Sequence, residues 1–428
     1  MNQEEMHHGE SFKSDKVKSR NIAIIIPTLA IGGAERFASL LSSGLTQYGQ
    51  NVSLILFENK IEYEHSGQIR FAPPPFGKSL IKYILSLPFR ALKTRKIKEM
   101  DSIDFSVSVM DKANLVNILS KKGDKVIFSV HNYKTSYVGE NSFVRFGHKI
   151  LGKFFYRMAD VIVCVSHASA SDLIRNFNVP PSKINVIYNP CDPQKIRRDA
   201  VSDLSLYKEI FEDPVVITAG TMILQKGQWH LIRAFREVKE KIKNARLVIL
   251  GDGELRNYLC RLSRNLGFRT FSLGENNPLD SLYDVYFLGF QQNPFNFLSA
   301  SKVLAMPSLW EGLPYVIVEA LAVGLNVISS DCKSGPREIL APDTDPNSHA
   351  QDIERAKYGI LVPVLDKKFY SETDPLTREE TLLAKGIIQL LSDPLLRERY
   401  RKAGLKRADD FNTEKIAKQW VDLMEQLA

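Results

Sequence analysis

Two glutamates, Glu311 and Glu319, stand eight residues apart in the stretch Ala305–Leu340, AMPSLWEGLPYVIVEALAVGLNVISSDCKSGPREIL. Their surroundings say what chemistry each suits. A short apolar strand stops at Pro307, and a loop then carries Glu311, Gly312 and Pro314. A helix-like run, Tyr315 to Val323, contains Glu319 and is closed by Gly324. Asn326 to Ser330 reads as the next strand. Glu311 lies at the helix entrance, where free backbone N–H groups and the helix dipole attract an anion such as a pyrophosphate. Glu319 lies about two turns further in, on an otherwise apolar helix. It is expected to be buried and to need hydrogen-bond donors. A pair of vicinal sugar hydroxyls supplies two; a core arginine such as Arg337 is the alternative.

The whole run from Pro307 to Glu338, with EGLP and EALA around its two glutamates, resembles the signature of family-4 retaining glycosyltransferases of the GT-B fold. The resemblance implies two Rossmann-like, doubly wound α/β domains facing a central cleft, with the acceptor domain first and the donor domain second. It implies that Glu319 binds the nucleotide ribose and Glu311 a hydroxyl of the donor sugar. Gly312 and Leu313, in the same loop, become donor-binding candidates. In the family a phosphate loop usually reads Gly-Arg, four residues, Lys-Gly. Here Gly220, Lys226 and Gly227 match, but Thr221 replaces the arginine. That departure removes a bidentate phosphate clamp. Compensation by Arg337 or by the N-terminal domain, weaker catalysis and a non-catalytic partner subunit are the alternatives it leaves. Lys226 suits the stabilisation of a departing diphosphate as a mobile positive charge. The resembled family has no firmly placed protein nucleophile; departing diphosphate and attacking hydroxyl share one face.

Other elements must position these residues. Asn21 to Pro27 is an apolar strand; the loop LAIGGAE, a helix to about Gly49 and the strand Val52 to Phe57 complete a βαβ start. That order predicts a parallel, doubly wound sheet with ligands at the C-terminal ends of its strands. Gly32 and Gly33 let backbone approach a phosphate, and the resemblance places their loop against the donor's phosphate. They do not spell GxGxxG, which disfavours an NAD enzyme. Further strands are expected at Phe105–Val109 and Lys125–Val130. His131 follows the latter at the active edge, and the resemblance puts it near the transferred sugar. Asp111 and Asn114 are secondary cleft candidates. The expected domains are a flexible tail (1–20), an acceptor-binding domain (21–193), a nucleotide-sugar domain (194–412) and a terminal helix (413–428) returning to the first domain.

The 428 residues are too many for one ordinary core, so two domains are the default. No apolar run approaches the roughly 18–20 residues that span a bilayer, and the N-terminus shows no signal-peptide pattern. The four cysteines are far apart without a CxxC pair, which argues against a zinc site or disulfide framework and for a reducing cytoplasm. Residues 1–193 hold 25 Lys+Arg against 17 Asp+Glu, whereas residues 194–428 hold 32 of each. The basic excess therefore belongs to the first half, which should face something acidic. Lys78 to Met100 contains seven basic residues and one acidic one among Leu80, Ile81, Ile84, Leu85, Leu87, Phe89 and Leu92. Phe143 to Met158 repeats the theme. Both read as amphipathic segments for an anionic membrane, or as core-packed helices with solvated lysines. Pro88 is expected to kink or divide the first. Asp343-Thr344-Asp345 spells the DxD metal motif of the other large glycosyltransferase fold, but it sits in a Pro-flanked loop and reads as a turn. No metal and no cofactor are expected. The expectation is a cytoplasmic enzyme, peripheral on the inner face of the membrane. It moves a hexose or N-acetylhexosamine from a UDP-sugar, or alternatively mannose from GDP-mannose, to a lipid-linked glycan in surface-polysaccharide assembly, without nucleic-acid partners.

Overall fold

The computed structural model describes residues 18–30, 32–73, 80–137, 152–276 and 278–428. Residues 1–17 of the expected tail, the first two residues of the 78–100 segment and positions 143–151 of the second aromatic segment lie outside the described residues, as do the side chains of 80–84.

Seven strands form a first sheet: β1 (Asn21–Ile26), β2 (Asn51–Leu56), β3 (Gln68–Phe71), β4 (Phe105–Val109), β5 (Lys125–Val130), β6 (Val161–Cys164) and β7 (Ile184–Val186). Their order is β3-β2-β1-β4-β5-β6-β7, with every pairing parallel. Eight more form a second sheet: β8 (Val215–Ala219), β9 (Arg246–Leu250), β10 (Thr270–Ser272), β11 (Val285–Gly289), β12 (Val303–Met306), β13 (Asn326–Ser330), β14 (Glu354–Arg355) and β15 (Ile360–Val362). The order is β10-β11-β9-β8-β12-β13-β15-β14, parallel except for the last pair. Each sheet is therefore doubly wound, and its strand order reverses beside its first strand, between β1 and β4 and between β8 and β12.

Helices cover both faces of each sheet, so the central strands are buried on both faces and mostly apolar. In β1, Ile22, Ile24 and Ile26 pack with Phe37, Leu41 and Leu45 on one face. Ala23 and Ile25 pack with Ile97, Ala113 and Val116 on the other. The helix Thr413–Leu427 completes the first of these cores. Ile416, Trp420, Val421 and Met424 form one face of it and are buried there, with the Trp420 ring 5.9 Å from that of Phe37. The chain passes between the halves twice, and the two passages are bonded together: Cys191 N donates to Phe411 O (2.7 Å) and Thr413 N to Cys191 O (2.8 Å).

The basic segment narrows two expectations. Leu80–Met100 is a single helix that Pro88 does not divide. Leu87 and Ile97, on either side of the proline, dock in the same apolar cluster, and that packing outweighs the lost backbone hydrogen bond. Lys98 is not a surface cation. It is 3 % exposed and donates to Asp124 Oδ2 (2.8 Å) and Asn117 Oδ1 (2.6 Å). Ala91, Thr94 and Ile97 share its inward face, while Leu85, Phe89 and Leu92 are exposed on the other. The helix is core-packed and outwardly apolar at once.

Candidate active site

The two switch points face each other across a cleft of about 1020 Å³. Loops at the C-terminal ends of β1, β4 and β5 line one wall, and those after β8, β9, β11 and β12 the other. The cleft brings together every site residue expected from the sequence. Gly32, Gly33 and His131 come from the first half; Gly220, Thr221, Lys226, Glu311, Gly312, Leu313 and Glu319 come from the second. Of the two secondary candidates, Asp111 lines the cleft and Asn114 does not. Asp111 is held by Lys134 at 2.8 Å. Neither Asp343 nor Asp345 reaches the cleft. Asp343 pairs with Lys357 (2.8 Å), and Asp345 accepts from its own turn at Asn347 N (2.9 Å).

Glu311 follows β12 on a loop fixed by its backbone: its N–H donates to Lys333 O (2.8 Å), and its carbonyl accepts from Ser334 N (3.3 Å). The residue is 6 % exposed. Oε1 receives Lys226 Nζ at 2.6 Å, and Oε2 receives Gln225 Nε2 at 3.3 Å. Lys226 ends a short turn closed by Gly227, whose φ of 60° suits glycine; a Cβ there would also strike the Pro307 carbonyl. Thus β12 and the loop after β8 press together, and a lysine from one meets a carboxylate from the other.

Glu319 sits in the helix Tyr315–Ala322, where Ile317, Val318, Ala320 and Leu321 bury the remaining faces. It is 6 % exposed. Its partner is not Arg337, as the structural alternative held. The Arg337 guanidinium is taken by Asp331 (2.6 and 3.0 Å) and Glu354 (2.6 and 3.1 Å), and it does not line the cleft. Instead Arg36, in the first-half helix Gly33–Gln47, crosses the cleft and donates to Glu319 Oε1. Its guanidinium lies 5.1 Å from the centre of the Tyr315 ring. The sequence reading missed Arg36; its only signal was its place three residues after Gly33. It also missed Asn189, which lines the cleft and donates to Leu313 O at 3.4 Å.

His131 follows β5. Its Nε2 lies 2.9 Å from Ser129 Oγ, and its ring meets the Phe37 ring edge-on at 4.4 Å. Burial, with the positive charge of Lys134 adding to it, holds its pKa down to about 3. The imidazole is therefore neutral in the physiological range, a hydrogen-bonding group and not a cation. The backbone at His131 approaches Gly312 so closely that a Cβ at Gly312 would run into the His131 carbonyl. Only glycine lets the two walls meet there.

Two family models match the chain, "Glycosyltransferase Family 4" over residues 31–195 and "Glycosyl transferases group 1" over residues 208–356. The chain is 30% identical over 407 residues to a Campylobacter jejuni N-acetylgalactosaminyltransferase, covering 93% of this chain and 98% of that protein. That enzyme is named for a diphospho-undecaprenol-linked acceptor. An uncharacterised glycosyltransferase of Methanocaldococcus jannaschii is 40% identical over 278 residues, 64% of this chain and 65% of its own length. Among solved structures, Anabaena HepE in complex with UDP and glucose matches with a TM-score of 0.70 at 18% identity, covering 95% of this chain and 100% of that one. Sucrose-phosphate synthase from Thermosynechococcus elongatus matches at 0.72 and 19%, covering 95% and 99%. With matches along both halves and a cleft between two doubly wound sheets, the chain belongs to the group 1, family 4 glycosyltransferases and has their GT-B fold.

Proposed function

We propose that the protein transfers a hexose or N-acetylhexosamine from a UDP-sugar to a lipid-linked glycan, with retention at the anomeric carbon. The observation that carries this reading is the cleft itself. It gathers Lys226 with Glu311, Glu319 on its helix and the Gly32–Gly33 turn between two facing switch points. Glu319 then accepts from the ribose hydroxyls, Glu311 from a hydroxyl of the donor sugar, and Lys226 faces the diphosphate. The acceptor hydroxyl attacks from the face the diphosphate leaves; the electron pair of the broken C–O bond stays on the phosphate, which takes the hydroxyl proton. No metal takes part. The relatives' names support the choice of substrates. The C. jejuni enzyme carries a diphospho-undecaprenol in its name. An Escherichia coli enzyme named for UDP-Gal and a diphosphoundecaprenol-linked GlcNAc is 30% identical over 215 residues, 48% of this chain and 51% of its own. A peripheral place on the inner membrane face suits the basic first half and the exposed Leu85, Phe89 and Leu92. No helix among the described residues is long and apolar enough to cross a membrane.

Thermal unfolding with UDP, GDP, ADP and NAD, each in excess, tests the site. A ligand at about 100 times its dissociation constant adds roughly 2.7 kcal/mol, enough to raise the midpoint visibly. UDP should raise it in the wild type and not in Glu319→Ala. A shift with GDP alone redirects the donor to GDP-mannose, and a shift with NAD alone overturns the reading.

A further inference from the structure

Arg36 is the one arginine lining the cleft among the described residues, and nothing in the reading above uses it. It springs from the second turn of a helix whose first residue is Gly33, so its base lies beside the glycine turn. From there it spans to the opposite wall, where its tip lies on Glu319 and between the rings of Tyr315 (5.1 Å) and Phe295 (5.6 Å). Its side chain keeps 19% exposure, against 8% for that of Glu319. The arginine is thus the more accessible member of the pair. The other paired cations of the cleft have partners of their own: Lys226 is on Glu311 and Lys134 on Asp111.

Two demands meet at this contact. Two vicinal ribose hydroxyls use both oxygens of Glu319, and Arg36 now holds Oε1. A nucleotide that docks its ribose in this way takes Oε1 from Arg36. A displaced guanidinium at this position does not leave the cleft, because its own helix fixes its base there. It is left beside the N-terminal N–H groups of that helix and the Gly32–Gly33 turn, a setting that favours an anion. Its planar fork of donors matches a phosphate bidentately, which a lysine cannot do. Across the cleft stands Thr221, a residue with no positive charge to offer the same anion.

We propose that Arg36 has two positions: on Glu319 in the unloaded cleft, and on the donor's diphosphate once ribose has taken Glu319. There it supplies the guanidinium that Thr221 does not. The inference rests on the reading of the cleft as a nucleoside-diphosphate-sugar site. It adds that a nucleoside competes with Arg36, whereas a nucleoside diphosphate both displaces and recruits it.

Calorimetric titration with UDP and uridine, and in parallel with GDP and guanosine, tests it. The proteins are the wild type, Arg36→Ala, Arg36→Lys and the double variant Arg36→Ala/Thr221→Arg, each checked for an intact unfolding transition. Arg36→Ala should bind the nucleoside as well as or better than the wild type, yet bind the diphosphate about 10- to 100-fold more weakly, the scale of a charge-assisted pair. Arg36→Lys should fall between. Thr221→Arg should restore the lost preference for the diphosphate. An Arg36→Ala variant with an unchanged diphosphate-to-nucleoside ratio, or with both ligands weakened alike, overturns the proposal, as does a Thr221→Arg that restores nothing. A wild type that binds neither diphosphate is a different failure, that of the site reading itself.

Discussion

His131 illustrates how surroundings decide what a side chain does in this cleft. Desolvated against Phe37 and facing the charge of Lys134, it holds no proton until the pH nears 3. A general base works best with a pKa near the operating pH, so this imidazole suits orienting a substrate hydroxyl and not abstracting its proton. The pH profile of kcat/KM between 5.5 and 8.5 should accordingly contain no inflection from His131. His131→Asn should lower the rate about 10- to 100-fold by misplacement while leaving the profile's shape alone. An inflection near 6.5 that vanishes in the variant would sink this assignment. Stability carries the same signature. The folded pKa lies below the unfolded value of about 6.5, so the unfolded chain binds more protons between the two. The stabilisation from neutral His131 is complete above pH 6.5 and is lost as pH falls toward 3. The wild-type unfolding midpoint should therefore fall more steeply from pH 6.5 to 5 than that of His131→Asn. At this scale the sequence was informative about position and poor about partners. Glu311 and Glu319 were legible because a proline, a glycine and an apolar helix frame them. Arg36 was not, because its partner lies 283 positions away and only the meeting of two domains joins them.

The helix Leu80–Met100 shows what local pattern conceals at the scale of an element. Its run of lysines and arginines looks uniformly solvated in sequence, yet Lys98 is a core residue. Burial pushes its pKa down, and Asp124 partly restores it. Burial likewise works against the Asp124 carboxylate, but Lys98, the Lys122 N–H and Ser106 together hold its pKa below the usual value. Removing one partner of such a pair strands the other, at a cost of about 3–5 kcal/mol. Lys98→Met should lower the unfolding free energy by that much, read as a lower denaturant midpoint with an unchanged slope; a change under about 1 kcal/mol would mean that the pair does not anchor the helix. The strands followed the same logic of legibility. β1 and β12 are apolar on both faces because helices cover both, and such runs are plain in a sequence; β4 (FSVSV) and β13 (NVISS) are as fully buried but carry serines. β3 (QIRF), β10 (TFS) and β14 (ER) are short edge or near-edge strands that owe their conformation to a neighbour, and the sequence reading passed over them.

Across the whole molecule, the net basic charge belongs to the first half, and the helix Leu80–Met100 sets exposed apolar side chains beside part of it. Leu85, Phe89 and Leu92 are each more than half exposed, with Lys93, Arg95 and Lys96 beside them, a combination suited to an anionic headgroup layer. Vesicles containing phosphatidylglycerol should sediment the protein. Reversing Lys93, Arg95 and Lys96 to Glu should release it, since each cation near such a surface contributes about 1 kcal/mol. Lys98 is left out because its reversal would damage the core. Equal sedimentation of both proteins would remove the membrane from the proposed function. The two-domain plan was legible from the repeated alternation of strand and helix, and the shared cleft only through the family resemblance, because no local pattern states how two domains face each other. The helix Thr413–Leu427 sets a further condition. It lays Trp420 and Met424 into the core built by β1 and the helix after it, yet it is synthesised after the entire second domain. On the ribosome the first domain must wait, its apolar face on Phe37 and Leu41 uncovered, until the whole second domain and the helix after it have been added. The part of the chain made first is thus the part completed last, and while it waits a chaperone's hydrophobic surface has an obvious place to bind.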